Sequence, residues 1–249
     1  IDFWIIGRIE YTNTYNTYLL SSAGVNMTPV VTSIGPIYST ITIGYLKASP
    51  DGDKLVATNY SGSPQVNLFD FDNSTGILSN NQNFTNLPSQ PSYGIEFSSD
   101  GNLLYISTVD GAPGQVYQYN MLAGSFTDIN NSGLEIGTTS GTGGALQFAP
   151  DGKIYHAQGF DSSYNGFNSL SYINDPNVIG LGCTYNVGAL LLSPSSSAVF
   201  GLPTFFSSIF NSPPSGCDSV ATAIITIKQS TSTASIVIEC DSFTWALNG

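Results

Sequence analysis

Carboxylates are the most abundant ionisable groups in this chain of 249 residues, which carries 17 Asp and Glu against 5 Lys and Arg and one His. Two carboxyl groups flanking a scissile bond can serve as acid and as base or nucleophile, the arrangement that hydrolyses glycosides. Glu10, Glu96, Glu135 and Asp110 fall in or beside predicted strands and are the available members. Glu96 heads the set, because it lies on a predicted innermost strand where it would line or approach a central channel. With 17 acids some pair comes close by chance, so a glycoside hydrolase is the minor reading and the chain is expected not to be an enzyme. His156, the single histidine, could act as a base, yet no second histidine offers a metal pair. A structural role is the expectation, since catalysis needs a poised partner.

Asp70, Asp72 and Ser74 put oxygen ligands at alternate positions of a short segment ending in Gly76. That spacing can surround calcium, the one cofactor the sequence offers, although the glutamate that closes an EF-hand loop is missing. The competing and favoured reading is a turn in which Asp and Asn side chains bond nearby amides. The run Gly137-Thr-Thr-Ser-Gly-Thr-Gly-Gly144 resembles a phosphate loop but lacks its lysine and leads into a strand, so it reads as a linker. Phe160-Asp-Ser-Ser-Tyr-Asn-Gly-Phe167 combines aromatic rings with short polar groups, suited to stacking on sugars while bonding their hydroxyls. Phe160, Tyr164 and Phe167 are therefore candidate ligand-binding residues together with Glu96. The alternative is that Phe160 and Phe167 fold inward to anchor a long loop.

These groups must be positioned by a repeated unit. Tyr45-Leu-Lys-Ala-Ser-Pro-Asp-Gly-Asp-Lys-Leu55, Tyr93-Gly-Ile-Glu-Phe-Ser-Ser-Asp-Gly-Asn-Leu103 and Gly144-Ala-Leu-Gln-Phe-Ala-Pro-Asp-Gly-Lys-Ile154 share one pattern. Their aspartates at 51, 100 and 151 recur about every 50 residues, and a period of that size means supersecondary units that bury their apolar faces on one another. Asp-Gly between alternating apolar runs predicts a tight turn joining two strands. Val66–Phe71 and Gly76–Leu78 supply a third and fourth strand, as do Val116–Tyr119 and the segment around Ser125-Phe126. The fold class is thus all-β, a β-propeller of four-stranded blades that forms a partial ring in this fragment.

Composition agrees. Only 9% of residues are charged and 41% are apolar, as expected of strands buried on both faces. A formal charge of −12 argues against nucleic acid and anionic lipid, which want clustered Lys and Arg. No run of about 18 apolar residues is present, so no membrane insertion is expected, and no signal peptide opens the chain. Asp2–Ile6 reads as a mid-blade strand, which marks the sequence as a fragment. Ser212-Pro-Pro-Ser-Gly216 breaks the pattern and sets a boundary between residues 1–211, the propeller, and 212–249. Beyond it, Val220–Ile227 and Ile236–Cys240 alternate like edges of immunoglobulin-like sandwich repeats.

The run Gly44–Gly52, with Tyr93–Phe97, Gly144–Tyr155, Ile173-Asn-Asp-Pro-Asn177 and Gly201-Leu-Pro-Thr-Phe205, resembles the propeller region of Bacteroidota surface proteins exported by the type IX secretion system. Gly216-Cys-Asp-Ser-Val220 and Glu239-Cys-Asp-Ser-Phe-Thr-Trp245 are similar to tandem repeats of very large surface proteins of these bacteria, including gliding-motility adhesins. The chain departs from the pattern at Gly7, where a His is usual, and near Leu192-Ser-Pro194, where Gly-Gly-Arg is usual. The resemblance implies an extracellular, cell-surface location and a non-enzymatic propeller module of a secreted adhesin. Its loops would meet a surface, glycan or protein partner, including other secretion proteins; the alternative is a lectin-like or carbohydrate-active protein on the same scaffold. Three cysteines leave one unpaired if a disulfide forms. The resemblance pairs Cys240 with a copy beyond the chain and leaves Cys183 and Cys217 as a clasp across the boundary, with Cys217–Cys240 still open.

Overall fold

Alternating side chains make every strand of the repeat two-faced, and the structure buries both faces of inner strands such as Lys54–Thr58 and Leu103–Thr108. A computed structural model describes residues 2–38, 43–60, 66–87, 91–109 and 113–203. It shows four antiparallel sheets in chain order. The first holds β1 (Phe3–Arg8), β2 (Thr14–Ser21), β3 (Gly24–Val25) and β4 (Val30–Ser33), with β3 and β4 both pairing β2. The second runs β5 (Leu46–Ala48), β6 (Lys54–Thr58), β7 (Val66–Asp72) and β8 (Ile77–Asn83). The third is β9 (Ser92–Phe97), β10 (Leu103–Thr108), β11 (Gln115–Asn120) and β12 (Leu134–Thr138). The fourth is β13 (Leu146–Phe148), β14 (Ile154–His156), β15 (Ser169–Ile173) and β16 (Tyr185–Leu191).

Three apolar clusters lie between consecutive sheets, and period-2 alternation explains them. Leu55, Phe69 and Phe71 turn to one side and meet Trp4 and Tyr15 of the first sheet. Val56 and Leu68, one residue out of phase, turn to the other side and meet Ile95, Leu104 and Ile106 of the third. Leu103 and Tyr105 in turn face Leu146, Phe148 and Ile154 of the fourth. Each middle sheet therefore covers two neighbours, and edge-to-face pairs such as Tyr15 with Phe69 at 5.3 Å add directed contact. This serial face-to-face stacking is propeller-like.

The three Asp-Gly repeats form the hairpins expected of them, β5–β6, β9–β10 and β13–β14. Gly52, Gly101 and Gly152 take φ of 78°, 73° and 83°, a region open to glycine without steric cost. Asp51, Asp100 and Asp151 each accept the amide two residues on. Where Ser49 and Ser98 precede the turn, their hydroxyls accept from Lys54 N and Leu103 N; the third copy has Ala149 and manages without that bond.

One element differs from expectation. The segment around Ser125-Phe126 is not a strand but opens helix α1 (Phe126–Asn131), and the fourth strand of that sheet is β12. The reason is local: Ser125 accepts from Asp128 N while Asp128 accepts from Ser125 N, a reciprocal capping box that starts a helix. The chain divides into two units, Ile1–Ser207 and Ser208–Gly249. The immunoglobulin-like segments and the boundary at 212 lie outside the described residues. No described helix is long and apolar enough to cross a membrane.

Candidate functional site

The same position of the repeat, four residues before each turn aspartate, carries Lys47, Glu96 and Gln147 on β5, β9 and β13. These innermost strands converge so closely that a Cβ on Gly94 would lie 2.3 Å from Gly144 O. The three side chains meet there. Lys47 Nζ stands 2.7 Å from Glu96 Oε2 and donates to Gln147 Oε1 at 3.0 Å. Glu96 also accepts the amides of Phe97 and Phe148 at 3.1 and 2.8 Å. Glu96 is thus where the sequence placed it, on an innermost strand, but it is 1% exposed and its carboxylate is committed on both oxygens. It is removed as a ligand-contacting or catalytic group, because a buried charge pair holds it out of reach of solvent.

His156 is equally closed. It is 0% exposed, and its Nε2 accepts from Gly144 N, which leaves the proton on Nδ1 to donate to Tyr185 Oη at 2.8 Å. Burial pushes its pKa down to about 3, so it is a neutral core residue. Of the other acids, Glu135 on β12 accepts from Gln115 and Tyr117, Glu10 lies at the turn after β1, and Asp110 lies outside the described residues.

The proposed calcium set is a turn. Asp72 accepts Ser74 N and Ser74 Oγ at 2.9 and 2.6 Å, bonds that hold its carboxyl below the usual range. Asp70 instead bonds Lys54 Nζ at 2.6 Å and Asn80 Nδ2 at 2.9 Å. The two carboxylates are spent on different partners, and no group of three metal-ligating acids, His or Cys occurs among the described residues. Cys183 is a buried thiol whose pKa burial raises, with Tyr105 bonded beside it. Its expected partner Cys217 lies outside the described residues.

The loops give a different picture. Connections inside and between sheets are knitted together at one end by backbone bonds: Tyr60 N to Ile43 O, Val109 N to Pro91 O and Gly159 N to Thr142 O. On this face the β14–β15 loop is braced by Asp161, which accepts Ser163 N and Asn165 N and whose carboxyl those amides hold below the usual range. Tyr164 stands at its tip, 83% exposed with φ of 61°. Phe160 is half-buried, 6.1 Å from the Tyr164 ring and 5.1 Å from Phe200. Phe167 folds inward: it exchanges both backbone bonds with Ala198, and its ring lies against the backbone of Gly141. The structure therefore brings Phe160 and Tyr164 together, assigns Phe167 to anchoring, and adds Phe200, Tyr93 and Tyr45. Phe200 met Tyr93 at 6.0 Å and Tyr93 met Tyr45 at 5.3 Å only through tertiary folding, and no spacing in the sequence announces that contact.

A shallow apolar depression of about 210 Å³ lies elsewhere, lined by Ala149, Leu170, Leu190 and Leu202 with Gln147 and Tyr155. It is smaller than the roughly 300–1,000 Å³ of ordinary small-molecule sites, and Gln147, its amide carrier, is already engaged.

No family model and no curated protein matches the chain. Among solved structures it is similar to a candidate 6-phosphogluconolactonase from Bacteroides uniformis, at 16% identity and a TM-score of 0.44, covering 79% of this chain and 52% of that one. It is also similar to TolB from Acinetobacter baumannii at 15% identity and a TM-score of 0.45, covering 80% and 42%. A gluconolactonase from Xanthomonas campestris aligns at 20% identity with a TM-score of 0.41, covering 58% and 42%. The chain spans about half the length of these structures.

Proposed function

We propose that this chain is a non-enzymatic recognition module of a large exported cell-surface adhesin, which meets its ligand through the loop face. The observation that carries this reading is the contrast between Tyr164 and the acid–base groups. A large aromatic ring is held in solvent on a loop braced by its own hydrogen bonds, while Glu96 and His156 are sealed and committed to structure. Binding residues concentrate on loops carried by a rigid scaffold, and stacked sheets are such a scaffold. The motif resemblance of residues 44–52, 93–97 and 144–155 to exported Bacteroidota surface proteins supports the extracellular, surface-attached setting.

The test is adhesion of the purified chain to surfaces coated with polysaccharides or with proteins, compared with Tyr164→Ala. Specific adhesion that Tyr164→Ala weakens is the expected result. Turnover of a glycan or lactone by the purified chain would overturn the non-enzymatic reading.

A further inference from the structure

We propose that Tyr45, Tyr93, Phe200, Phe160 and Tyr164 form one continuous groove for an uncharged polysaccharide chain. The proposal rests on the recognition reading above and names the ligand class of that same face. The five rings come from four distant stretches of sequence, yet each touches the next at centroid distances of 5.3, 6.0, 5.1 and 6.1 Å. They run from Tyr45, just before β5, and Tyr93 on β9 to the tip of the β14–β15 loop. Tyr105, Tyr119 and Phe69 show what this fold does with a ring used only for packing: they are 0% exposed. The five rings of the run all keep contact with solvent.

Two of the five rings also sit on left-handed backbone, a conformation that Tyr11, Asn80 and Thr184 share outside the run. Phe200 and Tyr164 hold φ of 55° and 61°, a region costly for aromatic residues that persists only when the surroundings over-determine it. Phe200 is fixed by accepting Ala145 N at 2.6 Å, and Tyr164 by donating to Asp161 O at 3.0 Å.

Ligand chemistry follows from the groups and the charge. A pyranose presents an apolar C–H face to an aromatic ring and hydroxyls at its rim. Exposed Ser162, Ser163 and Asn165 and the tyrosine hydroxyls supply partners for that rim. The rings meet edge to face or tilted, at interplanar angles of 81°, 63°, 88° and 54°, so a chain that tracks the run would meet ring faces and ring edges in turn. Nucleic-acid bases also stack on aromatics, but they bring phosphates that need a basic groove. All four described cations are engaged elsewhere. Lys47 pairs with Glu96, Lys54 with Asp70 and Lys153 with Asp151, while Arg8 donates to Thr12 O and lies over Tyr38. With a formal charge of −12, a neutral glycan is the favoured occupant.

Calorimetric titration of the full chain with neutral gluco-, xylo- and manno-oligosaccharides of increasing length tests the groove. Affinity should rise with length and then level. Tyr164→Ala and Phe160→Leu should each weaken the long oligosaccharides by about tenfold, and Tyr93→Leu should weaken long ones more than short ones. Tyr11→Ala, an exposed tyrosine away from the run, should change nothing. If Tyr93→Leu fails to fold, Phe160→Leu on the more open part of the run carries the comparison. Affinity independent of length and sensitive to Tyr164 alone would overturn the groove and leave loop recognition standing. Binding only to protein or to single-stranded DNA would overturn the polysaccharide and keep a recognition module, and no binding to any probe would overturn both.

Discussion

Lys47 and Glu96 are opposite charges paired in a buried centre, so their energetic signature differs from that of a catalytic acid. Glu96→Gln leaves the Lys47 ammonium without its counter-charge and should cost about 3–5 kcal/mol in urea unfolding. The double replacement Lys47→Met with Glu96→Leu removes both charges and should recover most of that loss; a double mutant no better than Glu96→Gln would refute the account. His156 gives a pH test. Its folded pKa of about 3 lies below the ordinary 6.5, so between those values the unfolded chain binds the proton and the folded chain does not. Stability is therefore unaffected above pH 6.5 and falls as pH drops from 6.5 toward 4, approaching about 1.4 kcal/mol per pH unit. His156→Gln should flatten that window. The depressed carboxyls of Asp72, Asp128 and Asp161 add a further loss only below their ordinary range, because they too must be protonated before the fold yields.

At the scale of elements, two local devices fix where strands begin and how near they come. Ser125→Ala removes the capping box of α1 and should cost about 1 kcal/mol, read as a shifted urea midpoint with an unchanged slope. Gly94→Ala places a Cβ 2.3 Å from Gly144 O and 2.9 Å from Leu146 N. Both atoms are backbone of the segment entering β13, which cannot yield as a flexible side chain would, so β9 and β13 must part. A loss of about 1–3 kcal/mol or more is expected, against near-neutrality for Gly7→Ala, where nothing lies within 4 Å. The Asp-Gly hairpins were legible in the sequence because turn chemistry is local. The fourth strand of the third sheet was not, because Ser125-Phe-Thr-Asp128 reads as helix start only once its reciprocal bonds are recognised.

For the whole molecule, stability comes from faces covered by neighbours, and cooperativity follows. Phe69→Ala lies between the first and second sheets, and Leu104→Ala between the second and third. Each should cost about 3–5 kcal/mol and shift circular dichroism and tyrosine fluorescence together, since a middle sheet that loses one cover exposes both. Separate transitions would show that the sheets fold independently. The acidic charge keeps polyanions away but does not touch a neutral ligand. Adhesion through the aromatic face should therefore vary little between low and high salt, where charge-driven binding would weaken steeply.

The sequence by itself determined the unit and its repetition: three Asp-Gly turns at one spacing, strands alternating at period 2, and too few cations for a phosphate-binding surface. These are local or compositional properties, set by backbone conformation and by charge count. It also named Glu96, Asp70, Phe160 and Tyr164 as groups able to do chemistry. Only the tertiary structure decided which of them are free to do it, because availability depends on partners far away in the chain. Lys47 reached Glu96 across two sheets, Lys54 took Asp70, and Phe200 returned from the far end to join Phe160 with Tyr93. Burial and pairing are properties of the stacked whole, and no window of sequence contains both members of such a contact.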